Sequence, residues 1–140
     1  MKNRILIGDL RSHLGGYVHI AGWADTLRDQ KRMQFLICRD HTGRVQTINS
    51  KKGSSLDDVI SSLAPDTPIV AGGNLIENSK VKLNGYEIQL DYVDVKSHPQ
   101  RPLPITSESS LDNRLDWRYI DLRDSKKHLI FRIQTTAEHV

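Results

Sequence analysis

The tightest constraint in this 140-residue chain is the tetrapeptide Asp40-His41-Thr42-Gly43, made of turn-forming residues and set between two β-prone runs, Met33–Arg39 and Arg44–Ile48. With those four residues as the loop, Arg39 lies opposite Arg44, and pairing runs Cys38 to Val45, Ile37 to Gln46 and Phe35 to Ile48. Successive strand side chains point to opposite faces. Leu36, Cys38, Val45 and Thr47 therefore share a small, mostly apolar face that suits a core. Phe35, Ile37, Arg39, Arg44, Gln46 and Ile48 share the other.

On that second face an aromatic ring, a carboxamide and two guanidinium groups lie together. Phe35 and Gln46 are diagonal neighbours across the ladder, close enough to serve one ligand. A ring to stack on a base, an amide to bond its edge and cations for phosphate make a platform for single-stranded nucleic acid. The competing reading makes Phe35 an ordinary core residue. It would bury Arg39 and Gln46 on the same face, and the alternation argues against it.

Along the chain, Ile5–Leu14 reads as a short lead that covers one end of a domain, ending at Gly15-Gly16. Tyr17–Leu27 reads as a long first strand with Val18 and Ile20 on one side, interrupted by Gly22 at a bulge or bend where Trp23 packs. Residues 28–32, Arg-Asp-Gln-Lys-Arg, read as a charged loop. After the hairpin, Ser55-Leu56-Asp57-Asp58 resembles a capping box opening a short helix with Val59, Ile60 and Leu63 as its apolar stripe, closed by Pro65 and Pro68. Ile69–Ile76 and Tyr86–Val95 read as the last two strands, the latter with Ile88, Leu90, Tyr92 and Asp94 on one side. Three strands, a helix and two strands are the order of an OB-fold, an all-β five-stranded Greek-key barrel with short helices. Such barrels bind nucleic acid on strands two and three and in the loops joining strands one to two and four to five. Phe35, Gln46, Arg28, Lys31, Arg32 and Lys82 fall in those places.

The texture changes after residue 97. Residues 98–104, His-Pro-Gln-Arg-Pro-Leu-Pro, predict an extended, stiff tether. Leu111–Arg123 interleaves Asp112, Asp116 and Asp121 with Arg114, Arg118 and Arg123, a pattern of ion pairs. Ser125 is placed to cap a final helix whose stripe of Leu129, Ile130, Ile133, Ala137 and Val140 runs to the last residue, which predicts a partner surface in a longer protein.

Other chemistries are set aside on pattern. There is no phosphate-loop, nucleophile-elbow or zincin signature. The six histidines are scattered without metal-ligand spacing, and Cys38 is the only cysteine, so a cytoplasmic setting is the default. No apolar run approaches the ~20 residues that span a bilayer. A net charge of +3 is compatible with nucleic acid.

The segments VHIAGW, LRD, QFLICRDHTGRVQ, NGYEI, RPLPI and LDNRLDWRYIDLR occur in that order. Together they resemble the N-terminal region of the class IIb aminoacyl-tRNA synthetases: the aspartyl, asparaginyl and lysyl enzymes. The RYIDLR ending is most similar to the aspartyl members. The resemblance covers essentially the whole chain and implies an anticodon-binding OB-fold over residues 1–97, a proline-containing hinge over 98–124 and the start of a catalytic domain over 125–140. It implies that Phe35 stacks on the middle anticodon base, a uridine, that Gln46 bonds that base, that Arg28 reaches toward the third position, and that Glu87 meets the first. Read without the resemblance, Glu87 is a solvated strand charge. The whole enzyme would use ATP and magnesium to load aspartate onto tRNA, as a homodimer. The family's three active-site motifs lie beyond this chain, so it should need no cofactor and catalyse nothing alone. Many relatives carry a glycine in the loop after Arg28, where this chain has Asp29-Gln30-Lys31-Arg32. The alternatives are the same domain of an asparaginyl enzyme and a stand-alone OB-fold module for single-stranded nucleic acid.

Overall fold

The computed structural model describes residues 3–139, which divide into two compact units with the boundary between Pro99 and Gln100. The first unit is built from β1 (Tyr17–Asp29), β2 (Met33–Arg39), β3 (Arg44–Ser50), β4 (Pro68–Glu77) and β5 (Tyr86–Val95), with a helix α1 (Ser55–Ser61) between β3 and β4. The strands close into a barrel in the order β1-β2-β3-β5-β4. Every pairing is antiparallel except the β3–β5 seam, which is parallel through Gln46 to Glu87, Thr47 to Ile88 and Ile48 to Gln89. This is the OB-fold.

The hairpin register is the one expected, from Met33 opposite Ser50 to Arg39 opposite Arg44. Leu36, Cys38, Val45 and Thr47 are almost fully buried, alongside Val18, Ile20, Ile69, Ala71, Leu75 and Ile88. The 3-10 helix Ile7–His13 adds Ile7 and Leu10 to that core. It is tied to the hairpin turn: the Asp40 carboxylate accepts from the N–H groups of Ile7 (2.9 Å), Thr42 (2.7 Å) and Gly43 (3.0 Å). Cys38 is an inert wall residue, its thiol pushed up to about 12 by burial.

Four local expectations are corrected. Gly22 carries no bulge; it pairs in register with Ile69, and it is glycine because a Cβ there would lie 2.1 Å from the Arg39 carbonyl oxygen. The register shift falls between Ala24 and Thr26. The charged loop is shorter than it reads, since Arg28 and Asp29 remain in β1 opposite Phe35 and Gln34, and Gln30 N–H closes the turn onto Met33 C=O at 2.9 Å. In β5 a second shift skips Asp91, where Gly73 comes so close that a Cβ would sit 1.9 Å from the Gln89 carbonyl oxygen. It reverses the alternation. Val93 and Val95 pack inward in place of Tyr92 and Asp94, and Tyr92 instead meets His19 across Gly72, hydroxyl to Nδ1 at 3.0 Å. The capping residue of α1 is Ser54 rather than Ser55, with Asp57 as its reciprocal acid.

Asp57 also shows what the alternation conceals, because the inward positions at the end of the hairpin hold Gln34 and Asn49, both buried. The Asp57 carboxylate accepts from Asn49 Nδ2 at 2.8 Å and from the N–H groups of Lys52, Gly53 and Ser54. Asn49 also donates to Gln34 Oε1 at 2.8 Å, and Gln34 Nε2 reaches the Asp57 carbonyl at 2.9 Å. The Asn49 hydrogen bond, ahead of those from the backbone, holds the Asp57 carboxyl below its usual range despite burial. Burial of polar groups is tolerated here because their donors and acceptors meet one another.

In the second unit, residues 97–110 carry no helix or strand and lead to α2 (Leu111–Asp116), α3 (Arg118–Asp121) and α4 (Ser125–Glu138). Arg114 grips Asp121 with two hydrogen bonds, 2.8 and 3.2 Å, which accounts for that part of the interleaved charge. The cap of α4 is Asp124, accepting from Lys126 N–H at 2.8 Å, rather than Ser125. Leu129, Ile130 and Ile133 on α4 are exposed, and Val140 lies outside the described residues.

Candidate nucleic-acid interface

The outer face of β2 and β3 forms the floor of an open groove of ≈ 690 Å³ whose far wall is the β4–β5 loop. Period-two alternation that sends Leu36 and Thr47 inward sends Phe35, Ile37, Gln46 and Ile48 outward, where each is half-buried. Arg28 comes from β1 directly opposite Phe35, and its guanidinium lies 5.8 Å from the ring centroid, a cation–π distance. Glu87 enters from β5 across the parallel seam. Four strands thus each bring one of the expected residues to a single groove.

Electrostatically the lining is cationic. Arg28, Arg44, Lys80 and Lys82 face Glu87 as the one carboxylate among the lining residues, and Arg44 pairs with Asp25 at the margin. Glu87 overturns its reading as a solvated charge, being only 4% exposed. Gln46 Nε2 donates to its Oε2 at 2.9 Å, and Asn78 Nδ2 donates to its Oε1 at 2.8 Å. A carboxylate so placed can be buried because each oxygen has a donor.

Three expected contributors are elsewhere. Lys31 and Arg32 stand exposed in the β1–β2 turn, outside the lining. Arg39, on the correct face, is drawn away from the groove by Asp25 and Asp66 and lies over Trp23 at 5.4 Å. Sequence reasoning missed Asn78, which orders the loop. Its Oδ1 accepts from Lys80 N–H at 3.1 Å, and its own N–H donates to Gly85 C=O at 2.9 Å. Asn84 then ties the loop to β3 through the Arg44 carbonyl at 2.6 Å. The detectable signal was Asn78-Ser79-Lys80, a sequence suited to an Asx turn. Among the described residues no group of His, Cys, Asp and Glu could hold a metal ion, and no helix is long and apolar enough to cross a membrane.

No protein-family model matches the chain. An aspartate–tRNA(Asp) ligase of Picrophilus torridus is 35% identical over 124 residues, covering 85% of this chain and 29% of that protein. An aspartate–tRNA(Asp/Asn) ligase of Methanocaldococcus jannaschii is 34% identical over 134 residues, covering 91% and 30%. The chain's homologues are aspartate–tRNA ligases. The chain spans about 30% of the length of these curated relatives. Solved structures agree on the fold. Asparaginyl-tRNA synthetase from Pyrococcus horikoshii, complexed with asparaginyl-adenylate, superposes with a TM-score of 0.88 at 22% identity over 97% of this chain and 32% of that one. A much smaller chain, OBody AM3L09 bound to hen egg-white lysozyme, superposes with a TM-score of 0.63 at 18% identity, over 71% of this chain and 99% of its own length.

Proposed function

We propose that this chain grips the anticodon loop of tRNA on behalf of an aspartate–tRNA ligase. The observation that carries the reading is the convergence of Arg28, Phe35, Gln46 and Glu87 from four strands into one cationic groove, on a chain homologous to such ligases. In this reading Phe35 stacks on the middle base and Gln46 bonds its edge. Arg28 serves the third position, Glu87 stands by the first, Lys82 supplies charge for phosphate, and Lys31 acts from the margin. Residues 98–124 serve as a hinge to the catalytic domain. The whole enzyme activates aspartate with ATP and magnesium and transfers it to the terminal adenosine of tRNA, as a homodimer in the cytoplasm. The chain alone supplies the grip and none of the chemistry.

The test is a titration of the 140-residue chain at low salt with an anticodon stem-loop carrying uridine at the middle position, beside the same loop carrying cytidine, repeated with Phe35→Ala. The expected result is several-fold preference for uridine, lost in the variant. Equal binding of both loops with no effect of Phe35→Ala rejects the reading. A second reading, service to both aspartate and asparagine tRNA, is favoured by the Asp/Asn name of the M. jannaschii relative. Stem-loops differing only in the third anticodon base separate the two: equal affinity supports dual service, and a preference for the aspartate loop excludes it.

A further inference from the structure

The contacts of Glu87 define how the groove tells one base from another. Both of its carboxylate oxygens are occupied, Oε2 by Gln46 and Oε1 by Asn78. An ionised carboxylate only accepts hydrogen bonds, and a primary amide has one end that donates and one that accepts. Beside Glu87 the Gln46 amide has a single favourable orientation. Its NH₂ turns to the carboxylate, and its carbonyl oxygen is left on the groove side with no hydrogen bond from any described residue. Asn78 is oriented independently, since its Oδ1 is taken by Lys80 N–H and only its NH₂ is left for Glu87. Two donor runs, Lys80 to Asn78 to Glu87 and Gln46 to Glu87, thus converge on the carboxylate from opposite sides, and the end of the Gln46 amide that remains is an acceptor.

We infer that Glu87 is a positioning residue which locks the Gln46 carbonyl toward the groove, so that the base seated there must offer a ring N–H. Uracil and guanine have such a hydrogen on their pairing edge; cytosine and adenine present a bare ring nitrogen there, which would face the carbonyl oxygen lone pair to lone pair. The ring of Phe35 discriminates poorly among bases, because every base has a face to stack. The amide so oriented separates uracil and guanine from cytosine and adenine. Discrimination thus comes from the amide, and its sign comes from Glu87. This role differs from a direct contact of Glu87 with the ligand, and it rests on the groove being the base-binding site.

Three stem-loops test it with the intact chain: uridine, cytidine and 3-methyluridine at the central position, the last keeping the uracil ring but lacking its N–H. The expected outcome is that the methylated loop binds about ten-fold more weakly than uridine, as cytidine does, for the loss of one hydrogen bond with its acceptor left unmet. Because a methyl group is also bulkier than hydrogen, Glu87→Met provides the complementary arm. With the carboxylate gone the Gln46 amide can turn either way, and the uridine-to-cytidine ratio should fall toward one. Glu87→Gln, which can still offer a carbonyl oxygen to Gln46, should restore much of the ratio. The side-chain NH₂ signals of Gln46 in the free chain should shift in Glu87→Met and largely return in Glu87→Gln, whether or not RNA is present. A uridine-to-cytidine ratio unchanged in a folded Glu87→Met overturns the inference; should that variant not fold, equal binding of uridine and 3-methyluridine by the wild-type chain overturns it instead. If these fail while Phe35→Ala still weakens binding, the groove remains the site and only the role of Glu87 falls. If Phe35→Ala has no effect either, the site itself is wrong.

Discussion

Phe35 and Leu36 are neighbours in the chain and face opposite ways across the same strand, and their surroundings are arranged on opposite principles. Behind Leu36, 1% exposed, the polar groups of Gln34, Asn49 and Asp57 saturate one another. Before Phe35, Glu87 is equally well satisfied, but its partner Gln46 keeps an open acceptor and Arg28, Lys80 and Lys82 line the same space. Two buried carboxylates therefore do different work. Asp57 ends its network inside the protein, and Glu87 passes its polarity outward through an amide. A closed network holds a shape, whereas one with a free end is able to read something.

The contrast can be broken at several points. The largest effect is expected from Leu36→Ala, which opens a cavity behind the strand and should lower unfolding stability by about 2–5 kcal/mol in urea denaturation. An equivalent loss from Phe35→Ala would show that the outer ring is core after all. Phe35→Ala should instead cost about 1–3 kcal/mol of stem-loop affinity, with the smaller loss of stability of the two. Next comes acid. Asp29, next to Arg28, is held down to about 2 from an ordinary 3.8, first by the Lys51 ammonium and then by the Ser61 hydroxyl. The folded chain then takes up this proton less readily than the unfolded one. Its contribution is complete above 3.8 and is lost as pH falls from there toward 2. Urea midpoints should therefore separate wild type from Asp29→Asn at about pH 5 and converge at strongly acid pH. The smallest effects belong to the rim. Lys82→Ala should weaken binding of both loops alike and reduce the salt dependence by about one unit of slope, and Lys31→Ala, outside the lining, should do less. Equal effects of the two lysines would place the ligand's backbone nearer the β1–β2 turn.

The hairpin was legible because its turn and its alternation agree, so register, inner face and the outer set of Phe35 and Gln46 follow from period two alone. Legibility failed where backbone irregularity intervenes. The shift at Asp91 reverses the inward residues of β5, and no local propensity distinguishes Asp91 from its neighbours. Gln34 and Asn49 sit at inward positions that the alternation reserves for apolar groups; Asp57 and Ser61, both beyond the hairpin, make their burial tolerable. Glu87 was opaque for a similar reason, because its two donors come from β3 and from the β4–β5 loop. Asn78 escaped notice because its influence passes through backbone turns rather than through chemistry it presents itself.

The parallel seam between β3 and β5 has a consequence for the life of the chain before it is folded. Gln46 and Glu87 are 41 residues apart and meet only when the last strand docks and the cylinder closes. Contacts of such sequence separation form late, after the loop entropy of the intervening segment has been overcome. On the proposed reading, a nascent or nicked chain would expose Phe35 and its cations and hold RNA indiscriminately, having no oriented amide with which to choose. Selectivity would in this sense be a proofreading of the fold: only a molecule that has finished assembling itself would tell its ligand from the rest.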